Sequence, residues 1–133
     1  MSGEGANGVI AIDLFEDVAP AHAERITALA AEGAYDNVAF HRVIPGFMAQ
    51  TGDVEYGVVT DAYDPRSAGH GGSDRPDLKQ EFSEIPFETG VVGMARSSQV
   101  DSANSQFFIM FEPGFFLNGQ YTCLLYTSPS PRD

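Results

Sequence analysis

The apolar residues of this chain come in short runs, and that limits the folds open to it. "GVIAIDLF" (8–15), "VAFHRVI" (38–44), "VVGMARS" (91–97) and "SQFFIMF" (105–111) are rich in β-branched and aromatic residues and end at glycine, proline or polar clusters. Runs of this length and content read as strands. In "VAFHRVI", strand alternation puts Val38, Phe40, Arg42 and Ile44 on one side and Ala39, His41 and Val43 on the other. Both sides are mostly apolar, so this strand is expected to be covered on both faces.

One segment reads as a helix, "DVAPAHAERITALAAEGAY" (17–35). Pro20 suits its first turn and Gly33 its C-terminal cap. Ile26, Leu29, Ala30 and Gly33 form a narrow, small-sided apolar stripe that fits close packing on a sheet. Residues 55–80, with "SAGHGGSDRPD", are a long stretch of Gly, Asp and Ser without periodicity, so they read as a functional or disordered loop. The coarse count is one helix and four to six strands, with no internal repeat.

A chain of 133 residues suits one domain, and 43% hydrophobic residues are enough for a core. The formal net charge of −12 argues against binding nucleic acid or an anionic membrane surface, because the chain would repel the phosphates it approached. No apolar run approaches the roughly 20 residues of a membrane span. The single cysteine, Cys123, allows no internal disulfide. His22, His41 and His70 have no ligand spacing, so no metal is expected. "GHGG" (69–72) is either an anion-binding backbone nest or a flexible loop, and the flexible loop is favoured. His41 is read as a hydrogen-bonded core histidine.

Chemistry concentrates in "FHRVIPGFMAQTGD" (40–53) and "SQFFIMF". Met48 with Gln50, and Gln106 with Phe108, each place an amide beside an apolar side chain on one strand face, and Arg42 lies a few residues before the first pair. Such a surface could grip a small apolar ring and hydrogen-bond the amide groups beside it. Phe and Met in strands are ordinarily core residues. A buried Gln needs partners. Arg42 is either half of a structural ion pair or part of a site.

"FHRVIPGFMAQTGD", followed by "GMARS…NSQFFIMF" and "FLNGQYT", resembles the cyclophilins, the cyclophilin-type peptidyl-prolyl cis-trans isomerases, in their bacterial form. The resemblance runs from about Val9 to Thr122. It implies a mainly β fold, an antiparallel eight-stranded barrel capped by helices, with a substrate groove on its outer wall. Arg42 matches the catalytic arginine. Phe47, Met48, Phe108 and Leu117 match the pocket for the proline ring. Gln50 and Gln106 match the polar residues beside it, and Ala95 matches the groove wall. Arg96 stands where many members have Asn, with its contact expected through the backbone. Phe116 stands where many eukaryotic members have Trp, which argues against tight cyclosporin binding. Tyr121 replaces a frequent His and still offers a donor.

The resemblance implies an enzyme that turns X-Pro bonds in unfolded or nascent polypeptides and so assists folding, with no cofactor. The alternatives are a proline-peptide-binding module with little turnover and an inactive fragment. Residues 1–8 are read as an extension or a truncated start, and 9–122 as the isomerase domain. Residues 123–133, "CLLYTSPSPRD", resemble a translated sequencing adapter. The family continues past "GQYT" into a strand, a helix and a closing strand, so the barrel is expected to be incomplete, with open edges and a tendency to aggregate. A full-length relative would be a monomer. The sequence leaves the compartment open between cytoplasm and periplasm, since an export signal could lie upstream.

Overall fold

A computed structural model of the chain describes residues 17–129 and the strand segments 2–3, 6–7 and 10–14; strand residues up to 14 and from 125 onward are described through their backbone. The other positions of the expected amino-terminal extension and of the adapter-like tail lie outside the described residues.

The elements in chain order are β1 (Ser2–Gly3), β2 (Ala6–Asn7), β3 (Ile10–Leu14), α1 (Pro20–Ala31), β4 (Arg42–Ile44), β5 (Met48–Thr51), β6 (Val91–Met94), β7 (Phe107–Met110), a 3-10 turn at Phe115–Leu117, and β8 (Cys123–Pro129). Strands β1 and β2 pair with each other. The other six form one antiparallel sheet in the order β3-β8-β6-β7-β5-β4. Among the described residues β3 and β4 are its two ends and do not pair, so the sheet is an unclosed part of a barrel. Residues 123–129, set apart in the sequence as foreign, lie between β3 and β6 and pair with both.

The sheet has apolar residues on both faces, which explains the near-continuous apolar runs of β6 and β7. On one face Met48, Val91, Phe108 and Met110 pack with Phe87, Leu117 and Cys123. On the other, Val92, Met94 and Leu124 pack with Ala103 and with Ala23 of α1, and Ile26, Phe107 and Ile109 close around them.

Helix α1 begins at Pro20, as its sequence predicts, but no side chain at Ala19 caps it. Glu81, from a distant loop, does that work. Its carboxylate accepts from the backbone N–H of Ala21 (3.3 Å) and His22 (3.0 Å) and pairs with His22 Nδ1. A carboxylate there also suits the positive end of the helix dipole. At the far end, Gly33 takes φ +77° while Gly33 N bonds Ala30 O and Ala34 N bonds Leu29 O. That is a Schellman ending, which favours glycine at this position.

Two expectations need correction. The buried side of α1 carries His22, Ala23, Arg25 and Leu29, with Ile26 half-buried, whereas Ala30 is exposed. The apolar stripe is therefore rotated toward the first two turns, where the helix meets the sheet. The segment 38–44 is not covered on both faces, because only Arg42–Ile44 forms a strand and it lies at the end of the sheet. Val43 and Arg42 are exposed there. The buried arginine is Arg25, whose guanidinium donates to Pro76 O at 2.7 Å and Asn104 O at 3.3 Å. The long loop is held at its two ends, where Glu55, Tyr56, Gly69 and Gly71 donate to one buried carboxylate, Asp53.

Candidate active site

Register alone assembles the first part of the site. Arg42 on β4 lies opposite Gln50 on β5, Gln50 opposite Phe108 on β7, and Phe108 opposite Gly93 on β6. Residues directly opposite in antiparallel strands project to the same face, so the guanidinium, the amide and the ring form one row across the sheet. The glycine that ends this row leaves space for the ring: a Cβ on Gly93 would stand 2.6 Å from Phe108 Cζ and 2.6 Å from Phe87 Cε2.

The apolar part surrounds Phe108. Met48 and Leu117 are buried in the same cluster, with Phe47, Ala95 and Tyr121 packed against it. Phe87 stacks on Phe108 with centroids 5.8 Å apart, and Tyr121 meets its edge at 5.6 Å. The 3-10 turn brings Phe116 to within 5.7 Å of Phe47. Phe116 is 72% exposed, so it forms a rim rather than a floor.

The two amides are joined. Gln106 Nε2 donates to both Gly69 O (3.0 Å) and Gly71 O (2.9 Å). Carbonyls only accept, so the Gln106 oxygen is turned toward Gln50, whose Nε2 donates to it at 2.9 Å. Gln50 then retains an acceptor oxygen and one spare N–H. Gln50, Gln106, Ala95 and Arg96 also line a polar cleft of about 480 Å³ beside the row, with Glu55 and Asp77 on its wall.

The Arg42 side chain makes no hydrogen bond or ion pair among the described residues. Of the two readings of this arginine, the structural ion pair has no partner there. The Arg96 side chain is committed within the protein. Its Nε and Nη2 donate to Gln120 O at 3.1 and 2.7 Å, Nη1 donates to Ser97 O at 2.9 Å, and the guanidinium lies 4.5 Å over the Tyr121 ring. Arg96 thus holds the ring that holds Phe108.

His41 Nδ1 is buried without a partner among the described residues, while the side chain hydrogen-bonds Gln106 and the ring lies against Gly69. Burial lowers its pKa, opposed by the nearby Asp53 charge. Asp53 itself is wholly buried. Burial pushes its carboxyl up, but the N–H groups of Tyr56, Gly69, Gly71 and Glu55 outweigh that and leave its pKa lowered. The "GHGG" nest therefore does bind an anion, and the anion is the chain's own. Asp53 stands at the end of the motif that marks the site, and glycines stand at 69, 71 and 72. Sequence reasoning could have linked a buried acid to these N–H groups, but nothing in the spacing pairs them.

A family model described as "Cyclophilin type peptidyl-prolyl cis-trans isomerase/CLD" matches residues 1–124. The chain belongs to the cyclophilin family. Among curated relatives, a probable peptidyl-prolyl cis-trans isomerase of Brucella suis is 60% identical over 116 residues, covering 87% of this cyclophilin and 59% of the relative. This cyclophilin thus spans about three fifths of the length of that relative. A crystal structure of a cyclophilin-type isomerase from Cryptosporidium parvum, obtained in the presence of the dipeptide Ala-Pro, is 28% identical with a TM-score of 0.76. It covers 92% of this chain and 74% of its own. A cyclophilin from Hirschia baltica is 25% identical with a TM-score of 0.73, covering 90% of this chain and 59% of its own. Among the described residues, no helix is long and apolar enough to cross a membrane.

Proposed function

We propose that this chain accelerates cis-trans rotation of X-Pro bonds in unfolded or nascent polypeptides, with Arg42 as the catalytic residue. The observation that carries this is the row Arg42–Gln50–Phe108, in which a guanidinium with no partner among the described residues stands in register with an amide and an aromatic floor. The proline ring seats against Phe47, Met48, Phe108 and Leu117. The backbone beside it meets Gln50, Gln106 and the Ala95 wall, while Arg96, Phe116 and Tyr121 frame the groove.

The chemistry follows from the peptide bond. Resonance sets a barrier of roughly 18–20 kcal/mol to rotation about C–N. Before proline the two isomers differ by only about 0.5–1 kcal/mol, so a catalyst need only lower the barrier. Twisting the bond breaks resonance and returns lone-pair density to the proline nitrogen. A guanidinium donating toward that nitrogen, or toward the neighbouring carbonyl, favours the twisted state over the planar one. Arg42 is exposed in the free protein. A polypeptide laid over it removes water from the guanidinium and strengthens this interaction when the bond turns. No nucleophile, metal or cofactor is required by this step.

The test is turnover of a proline tetrapeptide, read by coupled proteolysis or by NMR exchange. Losing one well-placed charged donor costs on the order of 100-fold. Arg42→Ala is expected to lose that much in kcat/KM, and Arg42→Lys to lose much of it, because Lys lacks the planar fork. Full activity in Arg42→Lys, or no acceleration by the wild-type chain, would count against the reading.

A further inference from the structure

We propose that Asp53 is a positioning residue for the groove, setting the donor and acceptor pattern that Gln50 shows to the substrate although it makes no contact with the groove itself. The proposal rests on the isomerase reading for its kinetic consequence, but its geometry stands on the protein alone.

The relay begins with a clamp. Asp53 Oδ1 accepts from Glu55 N at 3.0 Å and Tyr56 N at 2.8 Å, at the start of the long loop. Asp53 Oδ2 accepts from Gly69 N at 2.7 Å and Gly71 N at 3.0 Å, at its end. One carboxylate therefore closes the loop with charge-assisted bonds, which are roughly twice as strong as neutral ones. The fit leaves no slack. A Cβ on Gly71 would stand 2.6 Å from Asp53 Oδ1, 2.7 Å from Glu55 Cβ and 2.8 Å from Tyr56 Cδ2. Gly52, at φ +95°, turns the chain so that the carboxylate enters beneath the loop.

The second half converts loop position into amide orientation. Two of the four residues whose N–H groups Asp53 holds, Gly69 and Gly71, are the ones whose carbonyls accept from Gln106 Nε2. Two carbonyls facing one amide fix which end of that amide is nitrogen. The Gln106 oxygen must then face Gln50, and the Gln50 nitrogen must face Gln106. Gln50 is thereby left with its oxygen available, directly opposite Arg42 and Phe108. Without the clamp, Gly69 O and Gly71 O leave Gln106, its amide is free to turn over, and the pattern offered by Gln50 inverts.

The test separates this role from plain loop stapling. Asp53→Asn keeps the shape of the side chain but has one acceptor oxygen for the four N–H groups. Its kcat/KM on a proline tetrapeptide is expected to fall on the order of tenfold to a hundredfold, the scale of a small misplacement at a reacting site. Gln106→Ala is made alone and together with Asp53→Asn. If Asp53 acts through Gln106, the double variant loses no more than Gln106→Ala alone; losses that multiply overturn the proposal. Ile26→Ala, which weakens the cluster on the other face of the sheet, should leave activity per folded molecule unchanged. If Asp53→Asn does not fold, Gly71→Ala takes its place in the cycle, because it lifts the same segment off the carboxylate. Protection of the Gln106 side-chain amide protons from exchange is read in parallel by NMR. Its loss in the variant supports the relay whether or not the wild type turns over, and its retention overturns it. An inactive wild type with lost protection in the variant refutes the isomerase reading alone.

Discussion

Gly93→Ala adds one methyl at the end of the row, and the structure sets its cost. Gly93 is fully buried in β6 and has no left-handed backbone, so alanine meets no backbone strain. The penalty is steric. The new carbon would lie 2.6 Å from Phe108 Cζ, 2.6 Å from Phe87 Cε2 and 3.0 Å from Phe87 Cζ. Carbon atoms pack at about 3.5–4.0 Å, so one or both rings must retreat by about 1 Å. Neither has open space, since Phe87 is 1% exposed and Phe108 4%. Overpacking of this kind costs about 1–3 kcal/mol. Replacing a strand glycine returns roughly 0.5–1 kcal/mol through the unfolded chain. The expected net loss is therefore about 1–2 kcal/mol, a shift of about five- to thirtyfold in the folded ratio. Urea denaturation should show a lower midpoint at unchanged slope. Because Phe108 is the floor of the proposed proline pocket, KM for a proline peptide should rise in the same variant. Phe87→Leu in the Gly93→Ala background should recover part of both by making room. Wild-type stability with wild-type KM in Gly93→Ala would refute the packing argument.

Other outcomes follow from the buried groups. Asp53 and Glu81 both have lowered pKa values: burial opposes ionisation in each, while N–H bonds, with the His22 contact for Glu81, outweigh it. Their folded pKa lies below the unfolded one, so the stability they contribute is full above about pH 4 and is lost as pH falls through the depressed values. Urea midpoints measured from pH 7 to pH 3 should fall more steeply in the wild type than in Glu81→Gln. The Cys123 thiol is fully buried, and burial pushes its pKa up to about 11. It should react with Ellman's reagent at pH 8 only at the rate at which the chain opens; prompt labelling of the native protein would contradict its placement.

Much of the fold was readable along the chain. The strands at 10–14, 48–51, 91–94 and 107–110, and the helix start at Pro20 and ending at Gly33, follow from local alternation, ring constraint and positive φ, which neighbours in sequence decide. The residues of the proposed groove were named from a motif; alternation put Met48 with Gln50 and Gln106 with Phe108, and the pairing of strands brought those pairs together. The side of the sheet on which Arg42 would be left uncovered was not readable. The apolar run 38–44 looks like an interior strand, and only its place at the end of the sheet leaves Val43 and Arg42 exposed.

What the order of residues determined by itself is which segments extend, which coil and where each turns, because those choices depend on interactions a few residues long. Tertiary structure alone decided the partners. Glu81 caps a helix 60 residues away at Ala21. Asp53 reaches across the loop to Gly69 and Gly71, and Gln106 reaches back to the same glycines. Hydrogen bonds between groups so far apart leave no periodicity in a sequence, since nothing requires their spacing to be regular. They form because each buried polar group must find a complement in whatever the fold brings beside it.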